Sequence, residues 1–469
     1  IQITRHFATV KGERQVRYRR AGSGPPVILL HQSPTSSREY IPLIQEIAGK
    51  GFTVFSPDTP GNGMSDPFPG DEWKPMEEFA DGVVNLMDEL GITKAPVYGF
   101  HTGGVCALAL GLRHPDRFTV DEILQHYLPE VVPDWSGSHL TWTWSRFREQ
   151  VLFFPWFRKD LARRMNYDVP APAVTHLAVM DFLKCQDYRR AYRPAFLFDT
   201  VNAVKNMKGN MVITTAKTDV LGKYHALLKD VPSNITLLNP ANPDESKEQF
   251  IKILADNATS NTAPVLAQTK PMPGKIWQEY FQVDGGSIYA RRNTDGTGRP
   301  IVFIHASAGS SYSMDNFMKP VIGKRPVIAF DLPGNGESDN PMGTTVTVEA
   351  QAKYLAQAIK AAGYTEVDLF GYWGGCTVAV ELAVQHPDLV KHVAAPTLMV
   401  LPDVVRDEYL ARYTPTIELE DYGVHWLKVW NMVRDQELFS PWYMRKKDHI
   451  VRDHEPDIEP TVIHRRTVD

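Results

Sequence analysis

Cysteine is nearly absent from these 469 residues. The three present, Cys106, Cys185 and Cys376, are too few for a disulfide framework and point to a reducing compartment. A basic excess is lacking too. Lys and Arg total 50 against 55 Asp and Glu, so no cationic surface is offered to nucleic acid or to an anionic membrane. No apolar run approaches the ~18 residues that span a bilayer, and no spaced His/Cys/Asp cluster suggests a metal. With no secretory leader in view, a cytoplasmic location is expected. The chain starts at Ile1 rather than Met, however, so an upstream segment is expected to have been removed or omitted. What is present is a globular composition, 43% hydrophobic and 22% charged, too long for one ordinary core. Small molecules are the expected partners, and no cofactor is implied.

One module occurs twice, at an offset of about 273 residues, far beyond the roughly 20–50 residue periods of solenoids. Val27-Ile28-Leu29-Leu30-His31 answers to Ile301-Val302-Phe303-Ile304-His305, and the following Ser36-Ser37 to Ser310-Ser311. Asp58-Thr59-Pro60-Gly61-Asn62-Gly63-Met64-Ser65-Asp66 answers to Asp331-Leu332-Pro333-Gly334-Asn335-Gly336-Glu337-Ser338-Asp339. Gly99-Phe100-His101-Thr102-Gly103-Gly104 answers to Gly371-Tyr372-Trp373-Gly374-Gly375, and His114-Pro115-Asp116 to His386-Pro387-Asp388. Each copy opens with an expected hairpin, near 15–20 and 286–292, and then alternates apolar strands with helices, the pattern of an α/β sheet with covered faces.

Farther along, His139, Trp144 and Arg148 answer to His425, Trp430 and Arg434 in aromatic, helix-periodic insertions that read as caps. The resulting plan is domain 1 over 1–257 with a cap at about 121–195, a proline-bearing linker over 258–275, and domain 2 over 276–469 with a cap at about 404–469. The two domains are expected to pack on each other within the chain, with a homo-oligomer left open. The second copy has a plausible strand at 393–401 that the first lacks. It stops near the counterpart of Asp181, without the strands around 210–215 and 234–238, so residues are expected to be missing internally or at the C-terminus.

Between an apolar strand and a small-residue helix, the glycines of 99–104 permit a tight reversal that lifts one side chain into the cleft above the sheet. That side chain is His101. The adjacent helix start disfavours a cation, which would leave the imidazole neutral and able to take a proton.

These ordered motifs resemble the α/β-hydrolase superfamily, once in each copy. The resemblance implies two tandem α/β-hydrolase-like domains, each a mostly parallel sheet flanked by helices, with the second truncated. It also implies site positions. The backbone amides of Gln32 and Thr102 would form an oxyanion hole, and Asp219, after its strand, would be the triad acid. The nucleophile position holds histidine. The triad histidine should follow 235–238, but the chain reads Asn239-Pro240-Ala241, so a serine acyl-enzyme route is not available. In the second copy Trp373, Ala306, His425 and Arg434 form the matching, degenerate site, since indole is only a donor.

The favoured reading is therefore a hydrolase or lyase acting on a small, mainly apolar substrate that carries a carbonyl or carboxylate. His101 would be general base with Asp219 as partner, and Ser36, His139, Arg148 and Trp144 would contact substrate. Domain 2 would be structural. The rival is a pseudoenzyme that binds a ligand or serves as a scaffold. An ordinary hydrolase using Ser36 or Cys106 as nucleophile is the weakest option. His31, His305, Asp58, Asp66, Asp331 and Asp339 read as structural, because Gly/Pro-rich turns use carboxylates to cap backbone amides.

Overall fold

The computed structural model describes residues 1–11, 14–112, 127–185, 187–219, 222–256, 263, 269–307, 309–344 and 346–468. They form two compact units. The first is Ile1–Val132 with Trp142–Gln268, and the second is Pro133–Thr141 with Thr269–Asp469. Among the described residues no helix is long and apolar enough to cross a membrane.

In the first unit β1 (Thr4–Val10), β2 (Arg14–Ala21), β3 (Pro26–Leu30), β4 (Thr53–Pro57) and β5 (Val97–Gly99) form one sheet in the order β1-β2-β4-β3-β5. The β1–β2 and β2–β4 pairs are antiparallel, and β4, β3 and β5 run parallel. All five residues of β3 are buried, which explains its unbroken apolar run. Its two faces follow the period of 2. Val27 and Leu29 pack with Ile44 and Ile47 of α1 (Ile41–Gly49), whereas Ile28 and Leu30 pack with Phe79 and Val83 of α2 (Met76–Glu89) and Cys106 and Ala109 of α3 (Thr102–Leu112).

The insertion supplies α4 (Ser138–Leu152), α5 (Pro172–Lys184) and α6 (Arg189–Leu197). The expected strands near 210–215 and 234–238 are β6 (Met211–Thr214) and β7 (Ile235–Leu238). They pair parallel as a separate two-stranded sheet. The His114-Pro115-Asp116 corner, the first residues of the 121–195 cap and most of the 258–275 linker lie outside the described residues.

The second unit carries β8 (Trp277–Val283), β9 (Gly286–Asn293), β10 (Ile301–Ile304), β11 (Val327–Phe330), β12 (Val367–Gly371) and β13 (Val390–Ala394), in the order β13-β12-β10-β11-β9-β8. The extra strand expected at 393–401 is β13. It starts earlier, where Val390 pairs with Val367, and stops at Ala394, just before Pro396, which has no N–H for a ladder. Helices α7 (Val348–Ala361) and α8 (Gly374–Gln385) are followed by α9 (Asp403–Arg412), α10 (Val424–Leu438) and α11 (Pro460–Val468). The Thr347 hydroxyl caps α7 by accepting from the Ala350 N–H at 3.1 Å.

The 1–257 boundary needs one correction, because Pro133–Thr141 groups with the second unit. Gly137 has φ +72°, and a Cβ there would stand 2.7 Å from the Trp430 ring, so only glycine lets this backbone lie on that indole. His139 adds a hydrogen bond to His464 on α11, at 3.0 Å between Nε2 and Nδ1.

Candidate active site

Both glycine turns have the elbow geometry. His101 has φ +50° and Trp373 φ +48°, positive values that non-glycine residues seldom adopt. In the first elbow the Gly103 N–H bonds the Phe100 carbonyl at 2.9 Å, and in the second the Gly375 N–H bonds the Tyr372 carbonyl at 2.9 Å. A Cβ on Gly103 would lie 2.0 Å from the Leu30 oxygen of β3, and one on Gly375 2.3 Å from the Ile304 oxygen of β10. The elbow can close onto the central strand only with glycine at these two positions.

His101 is exposed at the tip, and its ring stacks on Phe100 with centroids 4.1 Å apart. Desolvation by the surrounding protein pushes its pKa below the usual 6.5, while the Asp219 carboxylate pulls it upward. The structure thus brings these two residues into one electrostatic field. Asp219 is half-buried and follows β6 by five residues, in a turn where its N–H bonds the Ala216 carbonyl at 2.9 Å. Thr102 is buried, and its hydroxyl accepts from the Ser33 N–H at 2.5 Å.

The loop after β3 differs from expectation. The Gln32 N–H donates to Glu39 Oε1 at 2.9 Å, and the Gln32 side-chain amide donates to Oε2 at 3.3 Å. The amide expected to hold an oxyanion therefore already holds a carboxylate. Burial pushes the Glu39 pKa up, against donors from Gln32 and Thr35. Ser36 is also corrected. It is fully buried, and its hydroxyl donates to Asp181 Oδ2 at 2.7 Å, which leaves it facing α5 rather than a ligand.

Of the cap residues, Trp144 is 1% exposed and belongs to the core rather than to a pocket wall. Arg148 is half-buried. His139 is corrected as a substrate contact, because it is buried against Trp430, with ring centroids 5.2 Å apart, and bonded to His464. In the second copy His425 is likewise buried, accepting from the Glu420 N–H at 3.2 Å, and Arg434 is half-buried. Ala306 gives its carbonyl to His305 Nδ1 at 2.7 Å.

Burial, the neighbouring His464 and the offsetting Asp134 hold the His139 pKa at about 4. The unfolded chain therefore takes up this proton first, so stability is full above pH 6.5 and declines between 6.5 and about 4. Denaturant titrations across that window should show the decline in wild type and a flatter profile in His139→Asn. An unchanged slope in the variant would remove His139 as its source.

The residues read as structural behave so. His31 donates from Nδ1 to the Gln32 carbonyl at 2.8 Å and accepts at Nε2 from the Thr59 N–H at 2.9 Å. His305 repeats this pattern with Ala306 and Leu332. Asp58 accepts from the Ser37 and Met64 N–H groups and from Arg17 Nε, the last at 2.6 Å. Cys106 is buried, and desolvation pushes its thiol up to about 12, so it is no nucleophile.

Three residues around the site were not singled out by the sequence: Glu39, Asp181 and Arg146. Two of them differ between the copies, with Ser313 at the counterpart of Glu39 and Met432 at that of Arg146, and that divergence was the available signal. Arg146 is 1% exposed and lies among aromatic rings, 5.3 Å from Trp156 and 5.4 Å from Phe182.

A family model described as alpha/beta hydrolase fold matches residues 25–119 and again 299–404, one segment in each copy. A proline iminopeptidase from Heyndrickxia coagulans is 34% identical over 117 residues, covering 24% of this chain and 40% of that protein. A soluble epoxide hydrolase from a Corynebacterium species is 39% identical over 137 residues, covering 28% and 43%. The chain thus spans about two fifths of the length of these relatives. Among solved structures, an enol-lactonase from Burkholderia xenovorans superposes with a TM-score of 0.38 at 17% identity, covering 53% of this chain and 98% of that one. With one fold family matched twice, on two sheets that each end in the same glycine-bound elbow, the segments 25–119 and 299–404 are two copies of the alpha/beta hydrolase fold.

Proposed function

We propose that the first unit is a hydrolase or lyase that works without a covalent serine intermediate, on a small, mainly apolar organic substrate bearing a carbonyl or carboxylate. His101 is the general base. Asp219 is its electrostatic partner, and the Thr102 amide at the start of α3 faces developing negative charge. The second unit is structural, since Trp373 neither accepts a proton nor attacks. The observation that carries this reading is an exposed imidazole on a positive-φ elbow, its pKa lowered below 6.5 and a carboxylate acting on it. Desolvation keeps the imidazole neutral and able to accept a proton, and the opposing carboxylate stabilises the imidazolium once the proton is taken. The hydrolase names of the relatives lend support at the level of reaction class.

A second reading, a ligand-binding pseudoenzyme, is favoured by the Glu39 carboxylate on the Gln32 amide. Incubating a metabolite extract with wild type and with His101→Ala, followed by mass spectrometry, separates the two. A compound consumed by wild type and spared by the variant supports the enzyme. Compounds that are retained but never consumed leave the pseudoenzyme, and equal consumption by both proteins removes His101 from the chemistry.

A further inference from the structure

Arg146 is the least explained charge in the first unit. It projects from α4 and is 1% exposed. Its Nη1 donates to Gln150 Oε1 at 3.1 Å, but Nε and Nη2 meet no acceptor among the described residues. The rings of Phe147, Trp156, Phe182 and Tyr188 surround the guanidinium at 5.3–5.6 Å. Aromatic faces offset part of the cost of burying a cation. They do not satisfy N–H donors, and a buried charge left without partners is costly.

Packing alone does not require a guanidinium here, because the second copy fills the matching helix position with Met432. The open edge is also a particular one. Nε and Nη2 form the side of the fork that grips a carboxylate with two parallel bonds. Elsewhere in this chain Arg189 holds Asp187 by that edge at 2.8 and 2.9 Å, and Arg291 holds Asp315 by it at 3.0 and 2.7 Å. Arg146 presents the same edge with no carboxylate from the protein.

The cage is tied to the loop after β3. Phe182 follows Asp181, whose carboxylate holds the Ser36 hydroxyl four residues beyond Gln32. Trp156 and Phe147 are the half-buried walls and Phe182 and Tyr188 the buried ones, so the first pair is the side of the cage nearer to solvent.

We propose that Arg146 is a carboxylate-recognition residue of the first unit. On this proposal its Nε/Nη2 edge binds the carboxylate of an aromatic or otherwise flat apolar acid, whose body lies between the rings of the cage. This rests on the proposed function only in identifying that acid with the substrate. The binding site itself does not depend on His101.

The test uses the full chain and calorimetric titration with 2-naphthoate and its neutral isostere 2-naphthamide. Wild type should bind naphthoate saturably and naphthamide about tenfold or more weakly, as loss of a charged bidentate pair demands. Arg146→Met, which carries the residue of the second copy, should lose that preference. Arg146→Lys should keep only part of it, because an ammonium lacks the fork. His101→Ala should bind naphthoate like wild type.

Equal affinity of wild type for the two probes would overturn the proposal, as would unchanged naphthoate binding by Arg146→Met or no saturation up to about 10 mM. If Arg146→Met fails to fold, the two-probe comparison in wild type decides, together with the guanidinium Nε–H resonance, which naphthoate must shift and naphthamide must not. Should metabolite turnover prove independent of His101 while naphthoate still depends on Arg146, the catalytic reading falls and this one stands.

Discussion

Replacing Asp58 with Asn should cost about 3–5 kcal/mol of stability, the range expected when one partner of a buried ion pair is removed. The carboxylate is wholly buried, with Arg17 Nε 2.6 Å away and the Arg17 side chain 1% exposed. Burial would raise the Asp58 pKa, but Arg17, His31, the Ser37 hydroxyl and the Met64 N–H together hold it at about 2. Asparagine keeps the shape but strands the guanidinium.

The duplicate supplies the control. Asp331 caps Ser311 and Glu337 in the same way, yet Tyr289 stands where the first copy has Arg17, and burial pushes the Asp331 pKa up. Asp331→Asn should therefore cost less, about 1–3 kcal/mol for disturbed caps. Urea midpoints of the two variants, at unchanged slope, measure the difference, and equal losses would show that the ion pair contributes nothing beyond the caps. Arg17→Met combined with Asp58→Asn should recover part of the loss. The sign with pH follows from a depressed carboxyl: the contribution is complete above about pH 4 and disappears as pH falls toward 2.

On the substrate identified by the metabolite screen, His101→Asn should lower kcat/KM by about 10²–10⁴, the usual worth of a positioned general base. Wild type should show an acid limb, with activity rising as His101 deprotonates and a midpoint below 6.5 because desolvation outweighs Asp219. Asp219→Asn removes the influence that raises the histidine, so its limb should move to still lower pH. An identical limb in wild type and His101→Asn would assign the titration to another group.

The parts of the molecule legible in its sequence were those with local causes. A strand, two glycines and a small-residue helix specify an elbow whichever side chain occupies the tip, so His101 and Trp373 were both found. The run 235–238 is a strand to the residue. Partnerships between distant segments were not legible. Nothing local announces that Ser36 meets Asp181, 145 positions away, or that His139 meets His464, 325 away. That Arg146 rather than Arg148 is the buried arginine was hidden for a geometric reason. Residues two positions apart on a helix point about 200° apart, and the aromatic pattern of 142–157 left the phase of the buried face open. The oxyanion assignment of Gln32 assumed an empty amide, but the residue that fills it, Glu39, has no counterpart in the second copy.

That Glu39 carboxylate also sets the choice of chemical probes. Boronates, phosphonates and other inhibitors that become anionic on binding would have to displace a carboxyl group already held by three donors from Gln32 and Thr35. Neutral hydrogen-bond donors or amines face no such exchange. Compound collections assembled for serine hydrolases are therefore expected to bind poorly at this loop, and molecules with a basic or neutral head to bind better.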